Sequence, residues 1–250
     1  MILNRQNLKV KPGKTYAELV FIGDVHYGSN MCNAQKFKEM VAYCTQNDIY
    51  IFCMGDMIEA ANRYSVGSGV YEQAHPQTQI EGMIEILKPL AEKGLIVGFL
   101  SGNHEDRITK ATGIDVSKIM AKELGAAYLG FAGWSLFYVG NQSYTLYTIH
   151  GISSAKHKYT KIKSIIDIAS TFPADIVAMG HVHDLDITSG ERPHVDKKRK
   201  TIYYRRFITL LTGHYLNYGG YAQGMGLEVG KQGSPKVKLF ADTWDIHPSI

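Results

Sequence analysis

The chain has 250 residues, of which 45% are hydrophobic and 20% charged, a composition typical of a soluble globular protein. Lys and Arg number 27 against 23 Asp and Glu, and this net charge of +4 by itself says little about partners. The three cysteines lack CxxC spacing and are odd in number, which argues against a disulfide framework. The sequence shows no apolar leader and no run of about 20 apolar residues, which argues against export and a membrane span. We therefore expect a cytoplasmic protein.

The first part of the chain alternates between short apolar runs and amphipathic segments. Residues 17–23 and 49–54 are apolar without alternation, as expected for strands covered on both faces. Between them, apolar residues recur at helical spacing after Asn33, which is a suitable N-cap. A second helix is predicted to open at the capping-box pattern Thr78-x-x-Glu81.

The same alternation continues with a strand over 95–100 and a helix over 115–124. From Trp134 onwards the pattern becomes richer in strands, and a β-hairpin is predicted to turn at Gly140-Asn141. Helical spacing over 162–169 precedes three further strands, predicted over residues 175–179, 201–211 and 236–240. We therefore expect an α/β fold, in which ligands gather at the carboxyl ends of the strands.

Five short polar blocks follow apolar runs, and each is placed where a predicted strand ends. Because the carboxyl ends of neighbouring strands meet at one edge of a sheet, we expect the blocks to converge in space. They combine carboxylates, an amide and imidazoles, a mixed oxygen and nitrogen set that suits two divalent cations held side by side. The blocks are Asp24-Val25-His26, Gly55-Asp56, Gly102-Asn103-His104-Glu105, His150-Gly151 and Gly180-His181-Val182-His183.

The spacing within the blocks indicates how the ions are held. Asp24 and His26 are two residues apart, so on a strand their side chains point to the same side and can bind one ion. Asp56 is a natural bridging carboxylate, since its negative charge screens the repulsion between two cations. Two ions about 3.5–4 Å apart could clamp a phosphate and lower the pKa of a water toward neutrality.

In order and composition, the blocks GDVH, GD, GNHE, HG and GHVH resemble the calcineurin-like metallophosphoesterase family over about residues 17–185. The resemblance implies a four-layer αββα sandwich of two mixed β-sheets flanked by helices. We predict a single domain over residues 1–250, in which residues 186–250 form a basic hairpin and C-terminal strands that complete the sheets. The resemblance also implies a hydrolase acting on phosphoric ester bonds at a dinuclear metal centre.

Seven metal ligands and a small set of catalytic residues follow from this resemblance. Asp24, His26, Asp56 and His183 would hold one ion, and Asp56, Asn103, His150 and His181 the other. His104 would hydrogen-bond the phosphate and protonate the leaving alkoxide, a contribution of about 10²–10⁴-fold. Glu59 lies where many relatives carry an Asp that orients this histidine, and we predict the same role although its side chain is one methylene longer. Arg107 and Asn103 are predicted to contact the substrate.

Two features favour phosphodiesters of nucleotides or nucleic acid as substrates. The first block has an extra residue, Tyr27, which resembles the nuclease and phosphodiesterase branches more than the phosphoprotein phosphatases. Basic residues with interleaved tyrosines follow His150 and His183, a pattern that suits a phosphate backbone and stacked bases. Tyr64 and Tyr71, in a long loop, are candidate base-stacking residues.

Several alternatives remain open at this stage. The enzyme could be a phosphomonoesterase or protein phosphatase, or the chain could be a non-catalytic metal-binding scaffold. Its ligand set accepts Mn, Fe, Zn, Co or Ni, among which we favour Mn²⁺. No membrane partner is expected, and homo-oligomerisation is left undecided.

Overall fold

The computed structural model describes residues 3–61, 75–151, 155–219, 223 and 228–250. The candidate stacking residues Tyr64 and Tyr71 lie outside these ranges. Within them, none of the helices combines the length and the apolarity needed to cross a bilayer.

The described chain contains eleven strands and five helices. In chain order they are β1 (Leu3–Asn7), β2 (Tyr16–Ile22), α1 (Ala34–Gln46), β3 (Tyr50–Cys53), α2 (Pro76–Glu92), β4 (Ile96–Phe99), α3 (Asn103–Thr112), α4 (Val116–Glu123), β5 (Ala132–Val139), β6 (Gln142–Ile149), α5 (Lys158–Thr171), β7 (Ile176–Met179), β8 (Leu185–Asp196), β9 (Thr201–Thr212), β10 (Lys236–Phe240) and β11 (Ile246–Ser249).

The strands form two mixed sheets. A five-stranded sheet has the order β11-β10-β2-β3-β4, in which β2, β3 and β4 are parallel. A six-stranded sheet has the order β1-β5-β6-β7-β9-β8, in which β6, β7 and β9 are parallel. Each sheet therefore has a parallel centre, and the carboxyl ends of its central strands point to one edge.

A shared hydrophobic core joins the sheets. Phe21 and Phe52 of the five-stranded sheet belong to the same buried cluster as Leu146 and Ile208 of the six-stranded sheet. The same cluster includes Phe37 of α1 and buried residues of α2 and α4. A second cluster packs α5 against β6, β7 and β9. Helices thus cover both outer faces, and the predicted sandwich of two mixed sheets flanked by helices is confirmed.

The predictions made for the ends of helices and strands are partly correct. Asn33 caps α1 by accepting a hydrogen bond from the Lys36 backbone N–H, and Gly140 and Asn141 form the turn between β5 and β6. The capping-box prediction for α2 is wrong, because the helix already begins at Pro76 and Thr78 lies inside its first turn. Proline suits this first position since its ring fixes a helical φ and no N–H is needed there.

Candidate metal centre

Each polar block follows a strand that the fold directs to the same edge. Asp24 and His26 come after β2, Asp56 after β3, and Asn103 begins α3 just after β4. From the other sheet, β6 ends one residue before His150, and β7 ends two residues before His181. The structure therefore brings the predicted ligands together between the two sheets, as expected for the carboxyl ends of parallel strands.

The backbone at these positions adopts a conformation that is uncommon for residues with side chains. Eight non-glycine residues in the described ranges have a positive φ, and five of them are predicted ligands. Such conformations cost about 1–3 kcal/mol each and concentrate at functional sites, where the surrounding structure holds them in place. The five ligands are Asp24, His26, Asp56, His181 and His183.

Two glycines allow the blocks to approach closely. Gly55 has a φ of +89°, and a Cβ at this position would lie 2.8 Å from Nδ1 of His150. A Cβ at Gly102 would collide with the carboxylate of Asp56. Both positions therefore require glycine, since any side chain would push the ligand blocks apart.

The first group of ligands consists of Asp24, His26 and His183. Nε2 of His183 lies 3.2 Å from Oδ1 of Asp24 and 3.1 Å from Nε2 of His26. Two imidazole nitrogens this close, both facing a buried carboxylate, are placed as ligands of one cation would be, at about 2.0–2.1 Å from it. The Asp24 carboxylate also accepts hydrogen bonds from the backbone N–H of His181, which ties the first and last blocks together.

The second group consists of Asp56, His150 and His181, with Asn103 beside it. Oδ2 of Asp56 lies 3.3 Å from Nε2 of His150, and Oδ1 of Asn103 lies 3.0 Å from the same nitrogen. Nδ1 of His150 faces the carbonyl oxygen of Met54 at 2.9 Å and can donate its proton there, which leaves Nε2 free to bind a cation. Asp56 Oδ2 also lies 3.9 Å from Nε2 of His26, so this carboxylate faces both groups.

The electrostatics of the second group fit a cation. Burial alone would raise the pKa of Asp56, but the neighbouring charges of His150 and His104 outweigh burial and hold it well below the usual range. Burial likewise opposes protonation of His150, yet the charge of Asp56 raises the pKa of this imidazole. Asp56 and His150 thus favour each other's charged forms, and a divalent cation would compensate the same carboxylate. The residues present therefore fit a metal centre.

His104 lies beside the ligands without belonging to either of these groups. Its backbone N–H donates to Oδ1 of Asp56 at 2.8 Å, and its Nδ1 lies 2.9 Å from the backbone oxygen of Glu59. Burial lowers the pKa of this imidazole, but the charges of Asp56 and Glu59 outweigh burial, so the net shift is upward. A raised pKa favours the protonated form, which a general acid needs.

The Glu59 side chain is divided between two histidines. Its Oε2 lies 3.1 Å from Nδ1 of His26, and its Oε1 lies 3.4 Å from Nδ1 of His104. The shorter contact to His104 comes from the Glu59 backbone oxygen, so both the main chain and the side chain of Glu59 contact this ring. The carboxylate also faces Arg107, whose Nη1 is 3.7 Å from Oε1.

Arg107 is placed where a phosphate contact is feasible. Its Nη2 lies 3.0 Å from Nε2 of His104, and its side chain is 30% exposed. Among the described residues, Arg107 is the one Arg or Lys whose side chain contacts His104 and Glu59. Asn103 lies close by, so both predicted substrate contacts border the metal-binding groups.

Glu105 is a further buried residue of this centre, although glutamate most often faces solvent. Its side chain is only 1% exposed and accepts hydrogen bonds from three backbone N–H groups, those of Asp56, Ile58 and Gly102. Burial and the charge of Asp56 raise the pKa of its carboxyl to about 7. Its position three residues after Gly102, at the start of α3, matches the acidic half of a capping box, in which the N3 carboxylate accepts from the N-cap backbone N–H.

The basic residues that follow His150 are mostly engaged within the fold. Lys161 is buried against Asp184, Lys158 pairs with Asp186 at 2.9 Å, and Lys163 pairs with Asp167 within α5. The charges of these three lysines are therefore paired within the protein and supply little free charge for a substrate.

Comparison with known proteins gives the same assignment as the sequence motifs. The model of the family described as calcineurin-like phosphoesterase matches residues 17–218. No curated protein matches the chain.

Solved structures with similar folds are distant in sequence. Vacuolar Protein Sorting 29 from Cryptosporidium parvum is 15% identical, with a TM-score of 0.42, and the match covers 94% of this chain and 98% of that one. Wild-type Vacuolar Protein Sorting 29 from Entamoeba histolytica, complexed with zinc, is 11% identical, with a TM-score of 0.40 and coverage of 93% and 97%. A predicted phosphoesterase from Streptococcus pneumoniae is 11% identical, with a TM-score of 0.39 and coverage of 94% and 90%.

These structural likenesses are too low to carry an argument about function, so the assignment rests on the family model. That model spans 202 of the 250 residues and includes all five polar blocks. The chain therefore belongs to the calcineurin-like phosphoesterase family and is a hydrolase that acts on phosphoric ester bonds.

Proposed function

We propose that this enzyme hydrolyses phosphodiester bonds of nucleotides or nucleic acid, using two divalent cations. The observation that carries the proposal is the convergence of seven ligand side chains from both sheets, five of them on backbone with positive φ. Asp24, His26 and His183 would hold one ion, and His150, His181 and Asn103 the other. Asp56 faces both groups and would contact both ions.

When bound, such ions act as Lewis acids on the phosphoryl oxygens and provide a nucleophile at neutral pH. The side chains around them supply position and proton transfer. Asp56 and Asn103 are fixed on the short segments that follow β3 and β4, which keeps the two ligand groups together. Arg107 offers a guanidinium to a non-bridging oxygen of the ester, a pairing that its planar fork favours.

His104 is placed to protonate the departing oxygen. Its Nδ1 faces the backbone oxygen of Glu59, which fixes the ring. Its Nε2 lies 3.0 Å from Nη2 of Arg107 and 3.8 Å from Oδ2 of Asp56, so this nitrogen borders the place where the ions would bind. Such a donor matters most for an alkoxide, the leaving group of a nucleotide ester, because an alkoxide leaves poorly without a proton.

The charge of the site supports a diester over a monoester. Within the described residues, the site offers one cationic side chain of the Arg or Lys type, that of Arg107. A phosphate diester carries a single negative charge, whereas a monoester near neutral pH carries close to two. Fewer fixed cations are needed for the diester, and His104 can assist its leaving group.

Diester preference is tested by comparing two chromogenic substrates. We expect kcat/KM for bis-p-nitrophenyl phosphate to exceed that for p-nitrophenyl phosphate by about tenfold or more, which corresponds to ~1.4 kcal/mol of transition-state discrimination. A preference for the monoester would instead support the phosphomonoesterase or protein phosphatase alternative.

Removal of metal should abolish activity. After dialysis against EDTA we expect turnover to fall to background, and we expect Mn²⁺ to restore it better than Fe, Zn, Co or Ni, although the ligand set accepts each of these. Elemental analysis of the reconstituted protein should find two ions per chain. Full activity of a protein shown to be free of metal would contradict the proposal.

The role of His104 is tested through the leaving group. For His104→Gln we expect turnover of an alkyl phosphodiester, such as a dinucleotide, to fall by about 10²–10⁴-fold. The loss should be much smaller for bis-p-nitrophenyl phosphate, because p-nitrophenolate leaves without protonation. His157→Gln, at the exposed N-cap residue just before α5, is a matched control, because the His157 side chain makes no capping hydrogen bond. Equal losses for both substrates would assign His104 to binding and not to proton transfer.

A further inference from the structure

The longest pair of strands extends well beyond the rest of the fold. Residues 208–211 of β9 pair with β7, whereas residues 201–207 pair only with β8. We call residues 190–207, the two-stranded part of this hairpin, the arm. Leu185 pairs with Thr212 beside the metal centre, and eleven residues later Asp196 pairs with Thr201 at the tip. At about 3.3 Å per residue, the tip lies roughly 36 Å along the strands from that end.

Two arginines fix the root of the arm. Nη1 of Arg192 donates to the carbonyl oxygen of Ala174 at 2.8 Å, and its guanidinium lies 3.9 Å from the ring centre of Phe207. Arg205 binds Asp175 through both its Nε and its Nη2. The arm is therefore anchored to the body of the protein and projects in a defined direction.

The arm concentrates the positive charge of the protein. It contains seven Lys and Arg residues against two acidic residues, a net charge of +5, while the whole chain carries +4 and the remainder therefore −1. At the tip, the side chains of Lys197, Lys198 and Lys200 are exposed and form no ion pair with any described residue. At the root, a pocket of about 180 Å³ is lined by Arg192, Arg205 and Arg206.

The arm also exposes large apolar side chains to solvent, which is unfavourable for a two-stranded ribbon surrounded by water. Val195 and Ile202 face each other across the strands and are 69% and 65% exposed. Tyr204, 66% exposed, lies on the same side of the ribbon two residues from Ile202. Tyr203, on the other side, stacks on His194. Exposed apolar patches of this kind indicate an interaction surface.

We propose that the arm is a binding site for double-stranded nucleic acid, separate from the metal centre. A two-stranded ribbon fits a groove of the duplex, its cationic tip matches the phosphate backbone, and apolar side chains can wedge against base steps. The distance between tip and metal centre corresponds to about 10 base pairs of duplex, so one polynucleotide can reach both. The inference rests on the proposed function for the class of substrate, but binding is measurable without turnover.

The test measures how tightly the protein binds a fluorescein-labelled DNA duplex of about 30 base pairs, roughly three helical turns. The dissociation constant is obtained from fluorescence anisotropy in the presence of EDTA at several salt concentrations. For the triple variant Lys197→Glu, Lys198→Glu and Lys200→Glu, we expect at least about tenfold weaker binding and a salt slope smaller by about 3. The control carries the same change of charge elsewhere on the surface, as Lys38→Glu, Lys88→Glu and Lys118→Glu, and should bind much more like the wild type. Hydrolysis of bis-p-nitrophenyl phosphate should be unchanged in both.

A second variant separates nucleic acid from other occupants of the arm. Ile202→Ser with Tyr204→Ser should also weaken duplex binding, and a single strand of the same length should bind less tightly than the duplex. Equal duplex binding by the arm and control variants would overturn the inference. The inference would also be overturned if the serine variant changed from dimer to monomer while its duplex binding stayed intact. Tight binding of the wild type to anionic vesicles, without binding to duplex, would overturn it as well.

Failure of the inference about the arm can be distinguished from failure of the proposed phosphodiesterase function. Arm-dependent binding without any phosphodiester hydrolysis would leave the inference standing and refute the function. Hydrolysis of small diesters, together with duplex binding that does not depend on the arm, would support the function and refute the inference.

Discussion

Asp56→Asn should lower the turnover of bis-p-nitrophenyl phosphate by about 10³-fold or more, which corresponds to at least ~4 kcal/mol of transition-state stabilisation. Asp56 is 1% exposed, and its Oδ2 lies 3.3 Å from Nε2 of His150 and 3.9 Å from Nε2 of His26, one from each ligand group. Asn keeps the shape and can still accept the hydrogen bond from the His104 backbone N–H through Oδ1. It removes the charge that would be shared by both cations, and their mutual repulsion would then be unscreened.

Two measurements make this result specific. We expect elemental analysis to show that bound metal falls from two ions per chain to one or fewer. The metal-free variant should remain folded, with a lower thermal unfolding midpoint than the wild type, because His150 and His104 stabilise the ionised form of Asp56 in the fold. Asp115→Asn is the matched control: it is the N-cap of α4, and Asn caps helices as well as Asp does. Asp56→Asn with normal turnover and normal metal content would place the catalytic centre elsewhere.

The convergence of the predicted ligands could be expected from sequence, because each follows an apolar run that becomes a central strand. Asp24 follows β2 and His150 follows β6, and parallel pairing alone brings such strand ends together. The positive φ values of Asp24 and His183 could not be predicted in this way, since they depend on how the turns are held by distant parts of the chain. The role of Glu105 depends in the same way on a contact with Asp56, 49 residues away.

The basic stretch after His183 shows where nearness in sequence misleads. Its position directly after a metal block in the sequence does not place it at the metal centre in the fold. β8 and β9 instead run away from that edge, so Lys197 and Lys200 lie at the far end of a long hairpin. Amino-acid composition identified the charge correctly, but only strand length and register determine its distance from the site.

The capping of α3 shows the opposite case, in which a local sequence signal is present and the structure extends it. Gly102 followed three residues later by Glu105 is a helix-start pattern, and the structure uses it. The same carboxylate also accepts from the segment after β3, so a local cap is extended into a contact between two ligand blocks.

Glu105→Ala should reduce the free energy of unfolding of the metal-free protein by about 4 kcal/mol, the largest stability effect that we expect from a single substitution near the centre. The change leaves the backbone N–H groups of Asp56, Ile58 and Gly102 without their acceptor in the protein interior. Each buried unsatisfied donor costs about 1–3 kcal/mol, and local relaxation recovers part of the total. Denaturant unfolding in EDTA measures the effect without interference from metal binding.

Two further variants determine whether this loss reflects the three hydrogen bonds. Asp106→Ala removes the neighbouring carboxylate, which only pairs with Lys110 on the surface of α3, and should cost less than about 1 kcal/mol. Glu105→Gln keeps one acceptor oxygen and should lose less stability than Ala, because burial and Asp56 already favour the neutral form of this carboxyl. An alanine variant as stable as Asp106→Ala would show that the bonds do not hold the segment. Since one of the three donors belongs to Asp56, we also expect Glu105→Ala to lower turnover at temperatures where it is fully folded, which would show that the same carboxylate stabilises the fold and positions the shared metal ligand.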